Sequence, residues 1–308
     1  MEDRTQKKVI ALGFFDGVHM GHGALLRRTV ELAKALDAVP AAHTFAQHPS
    51  TLLSRSPVPL LSTPEDRAEL MKGLYGIREV IAAPFDKEMM TMPWETFVLD
   101  HLIRRWNCVG VVVGHDYRFG YKGEGDPQKL KELCAAHSIA CEVVEKVTLD
   151  GRVVSSTYIR SLVEAGDMEA ACRYLAHPHL LSGEVRHGKG LGKTLGFPTV
   201  NISPAPGILI PAYGVYASKV TTQDGKTYAA ATNIGVRPTV ADGGQVTVEG
   251  FLLDFHGDVY GQRVKLELYH RLRGERRFNG LEELRREVLK NAQETREYFQ
   301  CETTPGKD

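Results

Sequence analysis

The sequence predicts two domains: an α/β unit built on a Rossmann-like parallel sheet, then a small antiparallel β-barrel closed by one helix. Three observations carry this. Apolar strand-like runs alternate with amphipathic helical runs through the first half. After Pro178 the texture changes to strand-like segments separated by turn residues. The chain has 308 residues, enough for two ordinary domains.

The elements follow in order. VIAL (9–12) reads as a buried strand. Leu25, Leu26, Val30, Leu32, Ala33 and Leu36 recur at helical spacing, and AAHTF (41–45) is a second strand. Pro64 opens the helical PEDRAELMKGLY, and REVIAA (78–83) is a third strand. PWETFVLDHLIRRW is helical, VGVVV (109–113) is a strand buried on both faces, and PQKLKELCAAHS is helical again. Such alternation implies right-handed crossovers and ligands beyond the carboxyl ends of the strands. The loops after VIAL and after VGVVV are therefore the places to look. STYIRSLVEAGDMEAACRYLAH (156–177) reads as two short helices, with Ser156 or Thr157 as N-cap. LLSGEVRHG, GVYASKVTT, KTYAAATNIG, VTVEGFLLDF and RVKLELYHRL are strands of the barrel, with Asp224-Gly225 and Gly257-Asp258 as turn signals. GLEELRREVLKNAQETREYF is the terminal helix. The boundary is expected near residue 181, giving domains 1–181 and 182–308.

Composition narrows the function classes. Hydrophobic residues make up 43% and charged residues 25%, the balance of a chain that buries a core in each domain. Lys plus Arg equals Asp plus Glu at 38 each, so the overall charge calls for neither nucleic acid nor an anionic membrane. Five cysteines without a CxxC argue for reduced thiols rather than a disulfide framework or a zinc site. No apolar run reaches the ~20 residues of a membrane span, and MEDRTQKK lacks the apolar core of a signal peptide. The expectation is a cytoplasmic protein, a monomer or weak homo-oligomer, whose partners are small molecules.

The loop GFFDGVHMGH (13–22) carries the first chemistry. Gly13, Gly17 and Gly21 permit tight turns and close backbone approach. His22 starts a helix whose free N–H groups and positive end point at any docked anion. His19 and His22 add two hydrogen-bond donors. The arrangement suits a phosphate that gains charge during reaction, such as the α-phosphate of a nucleotide under attack. A metal site would need Cys or Glu ligands that the loop lacks.

In the second half, RHGKGLGKTLG (186–196) is a flexible basic loop able to wrap phosphates, without the spacing of a Walker A motif. Thr199 and Asn201 share one face of a short strand, and their oxygens suit Mg²⁺. Glu249 stands in an otherwise apolar strand, where an acid either faces solvent or is held in a site.

These pieces resemble one family. GFFDGVHMGH looks like the HxGH signature of nucleotidylyltransferases, in the form carried by prokaryotic bifunctional riboflavin kinase/FMN adenylyltransferases (FAD synthetases). HTFAQHP (43–49), GHDYRFGYKGEGD (114–126) and SSTYIR (155–160) are similar to further family motifs, in order. GKGLGKTLGFPTVNI (188–202) looks like the kinase Gly-rich loop plus P-T-x-N, and YGVYA, NIGVRPT, VEGFLLDF and YGQRVKLEL follow. The resemblance implies two ATP-dependent steps: phosphorylation of riboflavin to FMN in the C-terminal module, and transfer of AMP onto FMN in the N-terminal one, giving FAD and pyrophosphate.

It also implies roles. His19 and His22 act on the ATP phosphates, with Gly13, Phe15, Asp16, Gly21, Ser156, Thr157 and Arg160 in the same nucleotide site. Gly188, Lys189, Gly190, Gly192, Lys193 and Pro198 bind the second ATP. Thr199 and Asn201 take Mg²⁺, and Glu249 is the general base. His48, Asp116 and Arg273 contact flavin. Three residues depart from the pattern: Gln47 for proline, Tyr117 for phenylalanine, and Asn291 for an expected aspartate. Two other functions compete: HxGH transfer to phosphopantetheine, nicotinate nucleotide or glycerol phosphate, and flavin binding without catalysis. GFPTVN, Glu249 and the paired histidines argue against both.

Overall fold

The computed structural model describes residues 6–48, 58–186, 199–237 and 245–302. Contacts divide the chain into two compact units, Met1–Ser156 and Thr157–Asp308.

The first unit is a five-stranded sheet, order β3-β2-β1-β4-β5, with every pairing parallel. The strands are β1 (Lys8–Leu12), β2 (Val39–Phe45), β3 (Glu79–Ala83), β4 (Cys108–Gly114) and β5 (Ala140–Val144). β1 is buried along its whole length, as a central parallel strand covered on both faces must be. Helix α1 (Met20–Ala35) starts earlier than its apolar pattern, because His19 caps it. α2 (Pro64–Tyr75) has the expected ends: the Thr63 side chain accepts the Asp66 N–H, and Gly76, at φ 74°, ends it. α3 (Lys87–Thr91) lies outside the sequence pattern. α4 begins at Trp94–Thr96 and continues as a wider π-type coil over Phe97–Arg105. α5 (Pro127–Ala136) is capped by Asp126. The strand order reverses between β1 and β4, so the loops after these two strands diverge and leave a crevice.

The second unit begins with α6 (Ser156–Ala165, whose first residue belongs to the first unit) and α7 (Met168–Leu175, capped by Asp167). The Val163 carbonyl accepts the Ala212 N–H, and α7 packs on β8 and β13, so this helical pair groups with the barrel. Residue 181 falls within β8 (His179–Arg186). The other strands are β9 (Thr199–Pro204), β10 (Gly214–Thr221), β11 (Thr227–Arg237), β12 (Gln245–Leu252) and β13 (Arg263–Gly274). They close into an antiparallel barrel, order β10-β11-β12-β9-β8-β13. Val200, Ile202, Tyr216, Ile234, Val248 and Leu266 are among its buried residues. The terminal helix α8 (Leu281–Glu302) packs on β10 and β11.

Three buried histidines set a pH limit on the fold. His43 on β2 and His101 on α4 share a hydrogen bond, Nε2 to Nε2 at 3.0 Å. Burial lowers His43 to about 3 and His101 to about 4. His179, buried in the barrel, is lowered to about 4 by the same cause. In the unfolded chain each titrates near 6.5, so that chain takes up protons first as pH falls. Stability is therefore whole above about pH 6.5 and drains between 6.5 and about 4 for His101 and His179, and on to about 3 for His43, each group contributing at most about 1.4 kcal/mol per pH unit. Denaturant titrations across this range are expected to show the loss, and His43→Gln to reduce its slope.

Candidate active sites

The loop after β1 is strained and tied down. Phe15 (φ 58°), Gly17 (φ 74°) and Val18 (φ 42°) all adopt left-handed backbone, which for a β-branched valine costs on the order of 1–3 kcal/mol. Asp16 holds the shape: its Oδ1 accepts the N–H groups of Leu61 (2.9 Å) and Ser62 (3.2 Å). Ser62 Oγ accepts the Gly17 N–H at 2.9 Å, and Ser156 Oγ donates to the Asp16 carbonyl at 3.1 Å. Asp16 and Ser156 thus shape the loop.

His19 Nδ1 accepts the His22 N–H at 3.2 Å, so its own proton sits on Nε2. The two imidazoles stack, 3.5 Å between centroids and 13° apart. Burial, aided by His19 and Arg67, lowers the His22 pKa well below the ordinary value, so the ring is neutral at pH 7. Gly21 makes the stack possible. A Cβ there would lie 3.1 Å from His19 Cε1 and 3.2 Å from its Nδ1. Gly21→Ala is accordingly expected to preserve or raise the unfolding temperature, since alanine favours helix. Displacing His19 should meanwhile lower activity at this loop about tenfold, a split that melting curves and rate assays on one sample would expose.

The loop faces a cavity of about 280 Å³ beyond the ends of β1, β4 and β5, lined by Phe15, His19, His22, Asp116, Lys146 and Ser156 among others. A second cavity of about 380 Å³ adjoins it, lined by Phe45, Phe85, Met89, Phe97, Arg118 and Phe119 among others. Gly13, Phe14, Asp116 and Tyr117 line both. One compartment carries His19, His22, Asp116, Lys146 and Ser156 and opens on a helix start. The other has the aromatic and methionine walls that suit a flat conjugated ring. His48 stands edge-on to the shared Phe14, with ring centroids 4.6 Å apart.

In the barrel, cross-strand register builds the other site. Asn201 pairs with Glu249, Glu249 with Asn233, Asn233 with Val215, and Val215 with Arg273. Residues directly opposed across strands share a face. A cavity of about 210 Å³ lies on this face, and Thr199, Asn233, Glu249, Phe251, Arg273 and Asn291 are among its walls. Arg273 Nη2 donates to Asn291 Oδ1 at 3.0 Å, while Glu287 pairs with its Nε at 3.2 Å. The hydroxyl of Thr199 and the amide oxygen of Asn201, whose strand position is in register with Glu249, are hard donors of the kind Mg²⁺ takes.

Residues 1–158 match the family model described as FAD synthetase, and residues 175–299 match the one described as riboflavin kinase. The chain belongs to the bifunctional riboflavin kinase/FMN adenylyltransferase family. It is 37% identical to the Listeria monocytogenes member over 95% of this chain and 92% of that protein. It is 34% identical to the Bacillus subtilis member over 97% and 95%, and 32% identical to the Escherichia coli K12 member over 94% and 92%. Its architecture is similar to the crystal structure of a macrolide-efflux protein from Streptococcus pneumoniae, with TM-score 0.84, 27% identity, and coverage of 95% and 94%. No helix among the described residues is long and apolar enough to cross a membrane.

Against the family motifs, the structure brings Gly13, Phe15, His19, Gly21, His22, Asp116 and Ser156 around one cavity. It brings Thr199, Glu249 and Arg273 around another, with Asn201 beside Glu249 in register. Asp16 points into the segment at 61–62 rather than lining the first cavity. Thr157 is exposed and Arg160 half-buried in the first turns of α6. Gly188, Lys189, Gly190, Gly192, Lys193 and Pro198 lie outside the described residues. The sequence pattern does not single out Asn233, Arg118 or the aromatic wall of the second cavity. The only advance signal was the aromatic density of GHDYRFGYKG.

Proposed function

We propose that the paired cavities of the first unit transfer AMP from ATP to FMN, and that the barrel cavity phosphorylates riboflavin. The chain is a bifunctional riboflavin kinase and FMN adenylyltransferase, and its geometry supports a division of labour among named residues. The observation that carries it is the shared wall, Gly13, Phe14, Asp116 and Tyr117, between the compartment that holds His19 and His22 and an aromatic one. A nucleotide in the first and a flavin in the second would meet there.

For adenylyl transfer, a phosphate oxygen of FMN attacks the α-phosphorus of ATP. The bond from that phosphorus to the bridging oxygen breaks, and pyrophosphate leaves with the electron pair. Little covalent work falls to the protein. Neutral His22 and the Nε2–H of His19 donate to the phosphates as charge builds. Gly13, Phe15 and Gly21 let the backbone approach, while Asp16 and Ser156 hold the loop. Arg160 and Thr157, from the S-S-T-x-I-R motif, are assigned to pyrophosphate, whose oxygens a guanidinium fork fits. His48 and Asp116 are assigned to the flavin phosphate side.

For the kinase step, Glu249 accepts the proton of the terminal ribityl hydroxyl as that oxygen attacks the γ-phosphorus of ATP, and ADP leaves. Thr199 and Asn201 would hold Mg²⁺, which when bound neutralises phosphate charge. Arg273, fixed by Glu287 and Asn291, meets the flavin. Gly188, Lys189, Gly190, Gly192, Lys193 and Pro198 are assigned to the ATP of this step on the family motif.

Incubation with riboflavin, ATP and Mg²⁺, followed by flavin chromatography, tests the reading. FMN and then FAD are expected; riboflavin left unconverted while FMN is also left unconverted would refute it.

A further inference from the structure

Arg67 reads as an ordinary residue of the amphipathic helix PEDRAELMKGLY, yet its side chain is fully buried. One nitrogen, Nη1, donates to three oxygens: the Phe14 carbonyl at 2.8 Å, Thr44 Oγ1 at 3.0 Å and the Phe45 carbonyl at 3.1 Å. The guanidinium carbon lies 4.1 Å from the Phe14 ring centroid. Nε and Nη2 are buried with no hydrogen-bond partner. Asp16 and Glu65 act on the group only through space, and no ion pair joins it among the described residues. Burial pulls its pKa down to about 10, so it remains a cation at pH 7. A buried charge without an ion pair opposes folding. Packing alone gives no reason to keep it.

The reason lies in the peptide it grips. Thr44 Oγ1 also donates to the Phe14 carbonyl, at 2.7 Å. Two donors therefore fix that oxygen toward α2 and β2. The peptide is planar and trans, so the Phe15 N–H points the opposite way. Among the described residues neither the Phe14 nor the Phe15 N–H donates a hydrogen bond. Phe14 and Phe15 line the nucleotide cavity. An outward N–H at a left-handed residue, as at Phe15, is the kind of donor from which anion-binding nests are built.

We propose that Arg67 is a positioning residue for adenylyl transfer: by holding the Phe14 carbonyl inward it aims the Phe15 N–H at the nucleotide phosphates, and its unpaired charge favours the anion gathering above the loop. The inference rests on the assignment of this cavity to ATP. The riboflavin kinase activity of the same chain is an internal control.

The test uses the full chain with Arg67→Met, Arg67→Lys and Thr44→Val, assayed for FAD formation from FMN and for riboflavin phosphorylation. Failure of the parent protein to make FAD would overturn the site assignment; a parent that makes FAD isolates the question of Arg67. Arg67→Met is expected to lower kcat for FAD formation about a hundredfold with a small change in KM, because the loop serves the transition state. The kinase rate should stay at the parental value. Arg67→Lys should recover about tenfold or more, since an ammonium can reach the same oxygens.

A merely structural role would not move the pH profile. His22 faces His19, His115, Asp116, Glu145 and Lys146 around the cavity, and the Arg67 charge acts on it through space. Removing the Arg67 charge should raise the His22 pKa and shift the acid limb of FAD formation to higher pH. If Arg67→Met does not fold, Thr44→Val decides. It removes one donor to the Phe14 carbonyl and should lower kcat about three- to tenfold. FAD formation within about twofold of the parent in Arg67→Met, or in Thr44→Val, would overturn the proposal, as would a loss confined to KM.

Discussion

Glu249→Gln is expected to reduce riboflavin phosphorylation at least about a thousandfold while FMN is still converted to FAD at the parental rate. Glutamine keeps the volume and polarity of the side chain, so β12 and its register with Asn201 and Asn233 persist. Only the ability to take the hydroxyl proton is lost. The cavity assigned to adenylyl transfer is lined by residues of the other compact unit and does not contain Glu249. Separate assays supplying riboflavin or FMN, each with ATP and Mg²⁺, check both halves of the statement. An unchanged kinase rate would remove Glu249 from the mechanism.

His22→Ala is the reciprocal case. FAD formation from FMN should fall about 10²- to 10³-fold, the usual cost of losing a preorganised donor to a developing oxyanion. Riboflavin phosphorylation should continue, so FMN accumulates when riboflavin is supplied. The lowered His22 pKa adds a pH signature. An ordinary histidine is half protonated near pH 6.5. A depressed one stays neutral there, so the parent enzyme should show no His22-linked change in FAD formation between pH 7.5 and about 6. An inflection near 6.5 that vanishes in His22→Ala would contradict the buried, neutral ring.

The sequence shows the architecture where one segment carries its own signal. β1 and β4 are continuous apolar runs, and the loops after them hold the chemistry because a parallel sheet puts ligands at that edge. The barrel strands announce themselves by alternation and turns. β5 does not: its residues ACEVV are all half-buried, so neither a buried run nor an alternating pattern marks it. The aromatic cavity is gathered from Phe45, Phe85, Phe97 and Phe119, on segments that only folding brings together. Arg67 is hidden for a related reason, since a basic residue on an amphipathic helix normally faces water. At position 291 the sequence shows a missing carboxylate. The structure shows that Glu287 already supplies the charge opposite Arg273, with the Asn291 amide oxygen completing the contact.

The central claim is that two independent cavities perform consecutive steps. Flavin chromatography of an equimolar mixture of the Glu249→Gln and His22→Ala proteins, given riboflavin, ATP and Mg²⁺, tests it most directly. Each protein alone should stop short, the first at riboflavin and the second at FMN, and the mixture should produce FAD. A mixture of the two folded proteins that yields no FAD, even from added FMN, would contradict the account.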